Sequence, residues 1–191
     1  MDLTLILEIF AAITGLVYII LLIRENIWCW FFGIISSIAF IFLMYQSQLY
    51  SESILYFFYV FVGFYGFYKW KDRGKNKVVI QRTSWLNIIL LLLSGICLSF
   101  GIGYLFDSHS DAQRPFADAT TSVFSVLASF MEAHKWLSAW VFWIIINLVS
   151  IWLYFDRSLS IASFLMVIYF LLSIFGFLHW RKKMQLSAAN A

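Results

Sequence analysis

The sequence predicts an all-α integral membrane protein with seven transmembrane helices, and three observations lead to that fold class. Of the 191 residues, 63% are hydrophobic and 12% are charged, and the mean hydropathy is +0.87. A soluble domain is about half apolar and about a quarter charged, so this chain has too much apolar side chain to bury in water. The apolar residues fall in runs of membrane-spanning length. Lysine and arginine are concentrated in every second segment between these runs.

Seven apolar runs, each near the roughly 17–25 residues that cross a bilayer core, predict the helices. The first run is long enough to span and has no basic segment before it, so we expect a retained helix and not a cleaved signal. Asp118 is expected to cap the fifth helix, because an acidic side chain suits a helix N-terminus. The expected helices, in chain order, are 4–23, 27–45, 51–69, 85–106, 117–133, 138–155 and 159–179.

The basic residues predict the direction in which the helices cross. With the N-terminus outside, the inner segments hold eleven lysines and arginines and the outer segments hold two. Lysine and arginine collect on the cytoplasmic side, so the expected orientation is N-out, C-in. The inner residues are Arg24, Lys69, Lys71, Arg73, Lys75, Lys77, Arg82, Lys135, Arg181, Lys182 and Lys183, and the outer ones are Arg114 and Arg157.

The chain resembles itself at an offset of 110 residues. Residues 30–70 align with 140–180 without a gap and share 13 identical positions. Shared hydrophobicity explains the isoleucines and leucines among them, but not two pairs of tryptophans or the G-x-x-x-W that ends each copy. The pairs in question are Trp30/Trp140, Gly66/Gly176 and Trp70/Trp180.

This repeat predicts the organisation of the domain. An offset of four helices returns the chain to the same side of the membrane, so two three-helix repeats run parallel and helix 4 joins them. The predicted layout is 3+1+3, as in SWEET-like transporters, whose substrate sites lie near the bilayer midplane. We therefore expect one transmembrane domain, 1–191, with a first repeat at 4–70, a connecting part at 71–113 and a second repeat at 114–180.

The sixth helix presents a candidate binding stripe. Trp140, Trp143 and Asn147 follow i, i+3, i+7 spacing and share one face. Asn147 is expected about 14 Å along the helix, near the midplane, where a lone amide needs a partner on another helix or in a ligand. Interhelical contact and ligand contact are equally open for Asn147. Trp140 is equally compatible with a belt of aromatic residues at the membrane interface.

The first repeat offers fewer candidate contacts. Trp30 and Ser37 stand where the second repeat has Trp140 and Asn147, and Gly33 replaces the second tryptophan of the stripe. The second repeat is therefore the one equipped for recognition. Three tyrosines are further candidates for substrate contact, although tyrosines on a crowded helix face more often pack. They are Tyr56, Tyr59 and Tyr169.

Charge placement argues against ion coupling and catalysis. Apart from Glu8, the expected helix interiors are almost free of ionisable residues, which proton relays and ion-coupled carriers usually need. The three histidines, His109, His134 and His179, fall at loops or helix ends. No base is near a nucleophile and no metal cluster appears, so we expect neither an enzyme nor a cofactor. The net charge of +3 is too small to suggest a nucleic-acid partner.

The stripe and its surroundings resemble the signature of PnuC-type vitamin transporters, and the resemblance covers nearly the whole chain. It implies a bacterial inner-membrane facilitator for nicotinamide riboside, usually a homotrimer embedded in the lipid bilayer. It also implies trapping by a cytoplasmic kinase that phosphorylates the entering vitamin, whereas relatives transport thiamin or riboflavin. The similar motifs are W-x-x-W-x-x-x-N at Trp140, Trp143 and Asn147, Pro115–Asp118, Leu153-Tyr154 and Gly176-x-x-x-Trp180.

The resemblance gives the stripe a chemistry and leaves alternatives open. Nicotinamide riboside and thiamin each have a cationic aromatic ring, for which tryptophan is the best partner. Where nicotinamide riboside transporters tend to place Asn or Gln in the first repeat, this chain has Ser36-Ser37 and Tyr56 to Tyr59, so thiamin and riboflavin remain alternatives. A non-transporting membrane scaffold is the alternative from another functional class.

Overall fold

The computed structural model describes residues 3–46, 50–71, 79–109, 114–156 and 160–189, and these residues form seven α-helices. The prediction of an all-α chain with seven helices is confirmed. The helices are α1 (Leu3–Ile23), α2 (Trp28–Gln46), α3 (Tyr50–Lys71), α4 (Trp85–His109), α5 (Pro115–Ala133), α6 (Ser138–Asp156) and α7 (Ser160–Ala189). Four of the basic residues used to predict the orientation lie outside the described residues, namely Arg73, Lys75, Lys77 and Arg157.

Five helices in the described part of the chain are long and apolar enough to cross a membrane. The two others, α3 and α5, were also expected to span but are less hydrophobic, because α3 contains five tyrosines and three charged residues and α5 contains five serines and threonines. The five candidate spans are Leu5–Ile23, Trp28–Gln46, Trp85–His109, Ser138–Asp156 and Ser163–Ser187.

Two expectations about helix ends are wrong. The seventh helix was expected to end at residue 179, but α7 continues to Ala189. The apolar run stops there, yet the residues that follow are mostly good helix formers, and a helix outside the membrane needs no apolar side chains. At the start of α5 the first helical residue is Pro115, which suits that position because its missing N–H would be unpaired anyway. Asp118 therefore lies in the first turn and is not the cap, although its charge still complements the helix dipole.

The chain divides into two compact units, 1–79 with 132–135, and 80–131 with 136–191. In the first unit, α1 packs on α2 and α2 packs on α3. In the second unit, α6 packs on α7, and α4 approaches α5 closely at two glycines. A Cβ added at Gly95 would lie 2.6 Å from the ring of Phe124, and one at Gly103 would lie 2.6 Å from the ring of Phe116. The expected boundaries of the three-helix repeats stay a prediction.

A buried tryptophan lies at the centre of the helix packing in the first unit. The ring of Trp30 is 2% exposed and covers Gly66, where an added Cβ would lie 2.6 Å or less from three ring atoms. It meets the ring of Trp70 edge to face at 5.4 Å. The indole N–H of Trp70 donates to the carbonyl of Ala133 at 3.0 Å. Gly66 is therefore required for close helix packing.

The second unit has the same arrangement 110 residues later. The ring of Trp140 is fully buried and covers Gly176, where an added Cβ would lie 2.6 Å or less from three ring atoms. It meets the ring of Trp180 edge to face at 5.3 Å. In both units, the packing of two helices depends on a tryptophan that fits only over a glycine.

The turns before α2 and α6 also share a backbone geometry. Glu25 and Lys135 have positive φ angles of 53° and 52°, which non-glycine residues rarely adopt. The N–H of Glu25 donates to the carbonyl of Leu22 at 2.9 Å, and that of Lys135 donates to the carbonyl of Glu132 at 2.9 Å. The two side chains form an ion pair at 2.7 Å and are 9% and 7% exposed.

Candidate functional site

The candidate stripe lies on α6 in the second unit. Asn147 is at the middle of this 19-residue helix and is buried, and α6 has no charged side chain before Asp156. Trp143 lies one turn before Asn147 and is partly buried. Its indole N–H is buried and has no hydrogen-bond partner among the residues that the structure describes. The middle of α6 thus holds a free N–H donor and an amide, without a charge.

Asn147 contacts α7 through one end of its amide. The Nδ2 group donates to Oγ of Ser173 at 3.1 Å, and the hydroxyl of Ser173 donates to the carbonyl of Tyr169 at 2.7 Å. Interhelical contact, one of the two alternatives for Asn147, is therefore present. The Oδ1 atom has no hydrogen-bond partner in the described part of the chain, so ligand contact at this atom stays a prediction.

Trp140 is enclosed by protein. Its ring is fully buried against Gly176 and Trp180, which excludes a place in an aromatic belt at the membrane interface. Its indole N–H has no partner among the described side chains and backbone groups. A direct contact of Trp140 with substrate stays a prediction, and the contacts that the structure shows for its ring are packing contacts.

The predicted site residues of the first repeat lie in the first unit and also pack. Trp30 is enclosed as described above, with Tyr18 against it edge to face at 6.1 Å. Tyr56 stacks on Phe40 at 4.7 Å and meets Tyr59 edge to face at 5.7 Å. Ser37 is buried on α2, one position from Ser36, whose hydroxyl donates to the carbonyl of Ala11 at 2.9 Å. The role of these residues in binding stays a prediction.

A buried charged cluster was not predicted. Glu132 lies in the last turn of α5, outside the helix interiors that were expected to be almost free of ionisable residues, and it is 2% exposed. The hydroxyl of Tyr18 donates to Glu132 at 2.9 Å, and the ammonium of Lys135 lies 4.4 Å from the ring centre of Trp70. Single charges beside a turn are usually solvated, so nothing in their local sequence indicated burial. Their neighbours lie 65 or more positions away in the chain.

Sequence reasoning also missed Ser173. The signal was present, because Ser37 becomes Asn147 and Gly63 becomes Ser173 at the same offset of 110. Two positions on neighbouring helices thus change together from small groups to a hydrogen-bonded pair. The pair is a difference between the two repeats, so the identities that define the repeat do not reveal it.

The chain matches known proteins over most of its length. A family model described as nicotinamide mononucleotide transporter matches residues 5–182. The nicotinamide riboside transporter PnuC of Neisseria mucosa is 25% identical over 185 residues, which cover 90% of this chain and 70% of that protein. PnuC of Escherichia coli strain K12 is 23% identical over 201 residues, covering 91% and 84%. The riboflavin/roseoflavin transporter RibM of Streptomyces davaonensis is 24% identical over 174 residues, covering 88% and 81%.

The fold is shared with a solved structure. The crystal structure of the vitamin B3 transporter PnuC is similar with a TM-score of 0.76 and 24% sequence identity, covering 92% of this chain and 80% of that one. This similarity agrees with the seven-helix arrangement described above. The similar proteins are named as transporters and not as enzymes.

Proposed function

The chain belongs to the nicotinamide mononucleotide transporter family and is of the PnuC type, and from this premise we propose that it takes up nicotinamide riboside across a bacterial inner membrane by facilitated diffusion. Family membership makes the protein a membrane transporter, so the scaffold alternative is dropped. The observation that supports this substrate concerns two groups at the middle of α6. The indole N–H of Trp143 and the side-chain carbonyl of Asn147 have no hydrogen-bond partner among the described residues.

These groups suit a cationic aromatic nucleoside. The ring of Trp143 can bind the pyridinium by a cation–π contact, worth up to about 2 kcal/mol when water is excluded. Stacking adds about 0.5–1.5 kcal/mol, and the amide pairs with a hydroxyl or carboxamide. Because α6 has no carboxylate before Asp156, the cation would be bound without being held tightly, as passive movement requires.

The same feature favours the riboside over its phosphorylated form. A phosphate bears negative charge, and between Ser163 and Phe177 the α7 helix offers no lysine or arginine to neutralise it, nor does any part of α6. Phosphorylation by a cytoplasmic kinase would therefore trap the vitamin inside. As PnuC-type proteins are usually homotrimers, we include a trimer in the proposal.

The proposal also includes two parallel three-helix repeats and an N-out, C-in orientation. Its support is the correspondence of contacts 110 residues apart, in the tryptophan–glycine packing and in the turns at Glu25 and Lys135. The orientation is supported by the distribution of lysine and arginine, which places eleven of these residues on one side and two on the other.

Riboflavin is the second candidate substrate. RibM is as similar to this chain as the riboside transporters are, at 24% identity against 25% and 23%. Thiamin remains a third possibility from the sequence, since it too has a cationic ring. Binding measurements on variants of the α6 stripe can distinguish these three candidate substrates.

The test is a quenching titration of the tryptophan fluorescence of the purified protein with nicotinamide riboside, thiamin and riboflavin. Trp143→Ala and Asn147→Ala should weaken binding of the true substrate by at least tenfold. Trp152→Ala is the matched control for the first variant, since it removes one tryptophan from the same helix at a position that is 50% exposed and packs on Arg114. Equal weakening by the control and by Trp143→Ala would refute the site, and saturable quenching by riboflavin alone would refute the substrate.

A further inference from the structure

The hydrogen-bond chain behind the stripe determines the orientation of the Asn147 amide. A serine hydroxyl has one proton to donate and two lone pairs that accept. The partner of the Ser173 hydroxyl at 2.7 Å is the carbonyl of Tyr169, which can only accept, so the single proton of Ser173 is directed there. Toward Asn147, the Oγ atom of Ser173 has only lone pairs to offer.

Asn147 must therefore present its N–H to Ser173. At 3.1 Å, the observed Nδ2–Oγ contact satisfies both atoms. Turning the amide over would place Oδ1 against the lone pairs of Oγ, with no proton between them. Ser173 is 1% exposed and Asn147 is 4% exposed, so water does not compete for this contact.

This orientation leaves Oδ1 as the free end of the amide. Among the described residues it has no partner, and it is an acceptor in every state that Asn147 can adopt near neutral pH. The first repeat has no counterpart of this device, because Ser37 and Gly63 stand at the corresponding positions.

We propose that Ser173 is a positioning residue that makes the site read a hydrogen-bond donor on the substrate, through Oδ1 of Asn147. This inference rests on the proposed function and specifies its selectivity. The ligand class is a neutral or cationic solute with an N–H or O–H at this point. In nicotinamide riboside the donor is the carboxamide N–H or the 2′- or 3′-hydroxyl of the ribose, and a carboxylate in place of the carboxamide would be repelled by Oδ1.

The test compares three ligands by titration calorimetry on the purified full-length protein. They are nicotinamide riboside, nicotinic acid riboside and nicotinamide 2′,3′-dideoxyriboside. If Oδ1 reads the carboxamide, the wild type should bind the acid at least tenfold more weakly than the amide. If it reads the ribose, the dideoxy compound should be the weaker ligand by the same factor.

Ser173→Ala lets the side-chain amide of Asn147 turn over. The preference of the wild type for nicotinamide riboside over the weaker analogue should therefore fall about tenfold, toward equal binding. Ser173→Gly places the residue of the first repeat there and gives the same result if the alanine variant does not fold. Ser163→Ala is the matched control, because its buried hydroxyl donates to the carbonyl of Ile151 at 3.1 Å on the same pair of helices and does not contact Asn147. It should keep the wild-type preference.

The outcomes separate the two proposals. An unchanged preference in Ser173→Ala or Ser173→Gly, with binding of nicotinamide riboside retained, would overturn the inference and leave the proposed function standing. Equal binding of all three ligands by the wild type would do the same. No binding of nicotinamide riboside by the wild type would overturn both.

Discussion

In the pair α2–α3 the rings of Trp30 and Trp70 meet edge to face at 5.4 Å, and in the pair α6–α7 the rings of Trp140 and Trp180 meet in the same way at 5.3 Å. The interplanar angle is 88° in both. Each pair also has the same serine bond, since Ser53 donates to the carbonyl of Ile41 at 3.2 Å and Ser163 to that of Ile151 at 3.1 Å. The contacts that hold each helix pair together are thus alike.

The helix pairs α2–α3 and α6–α7 differ at positions where α6–α7 has a larger or more polar side chain. Gly33 is covered by Tyr18, whose ring would lie 2.8 Å from an added Cβ, so this position is filled from α1. Among the many differences between the pairs, those at the stripe and its hydrogen-bond partner are Gly33/Trp143, Ser37/Asn147 and Gly63/Ser173. The comparison teaches that the shared packing contacts and the positions at which the two pairs diverge are separate on each helix pair, so either set can be altered alone.

The largest expected effect comes from the paired turns. Lys135→Met should lower the free energy of unfolding by about 3–5 kcal/mol, because it leaves the buried Glu25 carboxylate without its 2.7 Å ion-pair partner. Arg114→Met is the control and should cost less than about 1 kcal/mol, since Arg114 and Asp156 are 41% and 37% exposed. Unfolding in a denaturing detergent provides the measurement.

A double variant sharpens this result. Adding Glu25→Leu to Lys135→Met removes the buried charge that lost its ion-pair partner, so stability should recover in large part. If the double variant is as unstable as the sum of the single ones, the two side chains are not coupled and the turns owe their stability to the backbone alone.

The next effect comes from the two glycines under the tryptophan rings. Gly66→Ala and Gly176→Ala should each destabilise by about 1–3 kcal/mol, because the new methyl would overlap ring atoms. Their thermal unfolding midpoints should fall by similar amounts. Gly101→Ala is the control, as an added Cβ there meets nothing within 4 Å. Unequal losses at Gly66 and Gly176 would break the equivalence of the pairs.

The smallest effect comes from the two serines. Ser53→Ala and Ser163→Ala should each cost about 0.6 kcal/mol, the average for hydrogen bonds within membrane proteins. The expected result is equality of the two losses in the same detergent unfolding experiment. If only one of the two variants loses stability, the two hydrogen bonds have the same geometry but contribute differently to the free energy of unfolding.

Much of the fold follows from the sequence because apolar runs of spanning length have few alternatives. Helix ends were predictable to within three residues except in α7, where the membrane signal stops before the helix does. The packing of Trp30 on Gly66 was not predicted, because the repeat shows that both residues recur but not that they touch.

The features that the sequence did not predict depend on contacts that no local pattern contains. Tyr18 meets Glu132, and Glu25 meets Lys135, across 114 and 110 positions of the chain. Ser173 looks like one more small residue in an apolar helix until its bonds to Asn147 and Tyr169 are known. The orientation of an amide is likewise a property of its neighbours and not of its own residue type.

The ion pair of Glu25 with Lys135 has a consequence for ancestry. If both three-helix segments descend from one ancestral unit, two identical copies would have brought the same side chain to these two positions, and like charges at that distance repel. Opposite charges are available only after the duplication, once the two copies can mutate separately. The pair would then be younger than the duplication, and it is a bond that a symmetric ancestor assembled from two identical chains could not have formed.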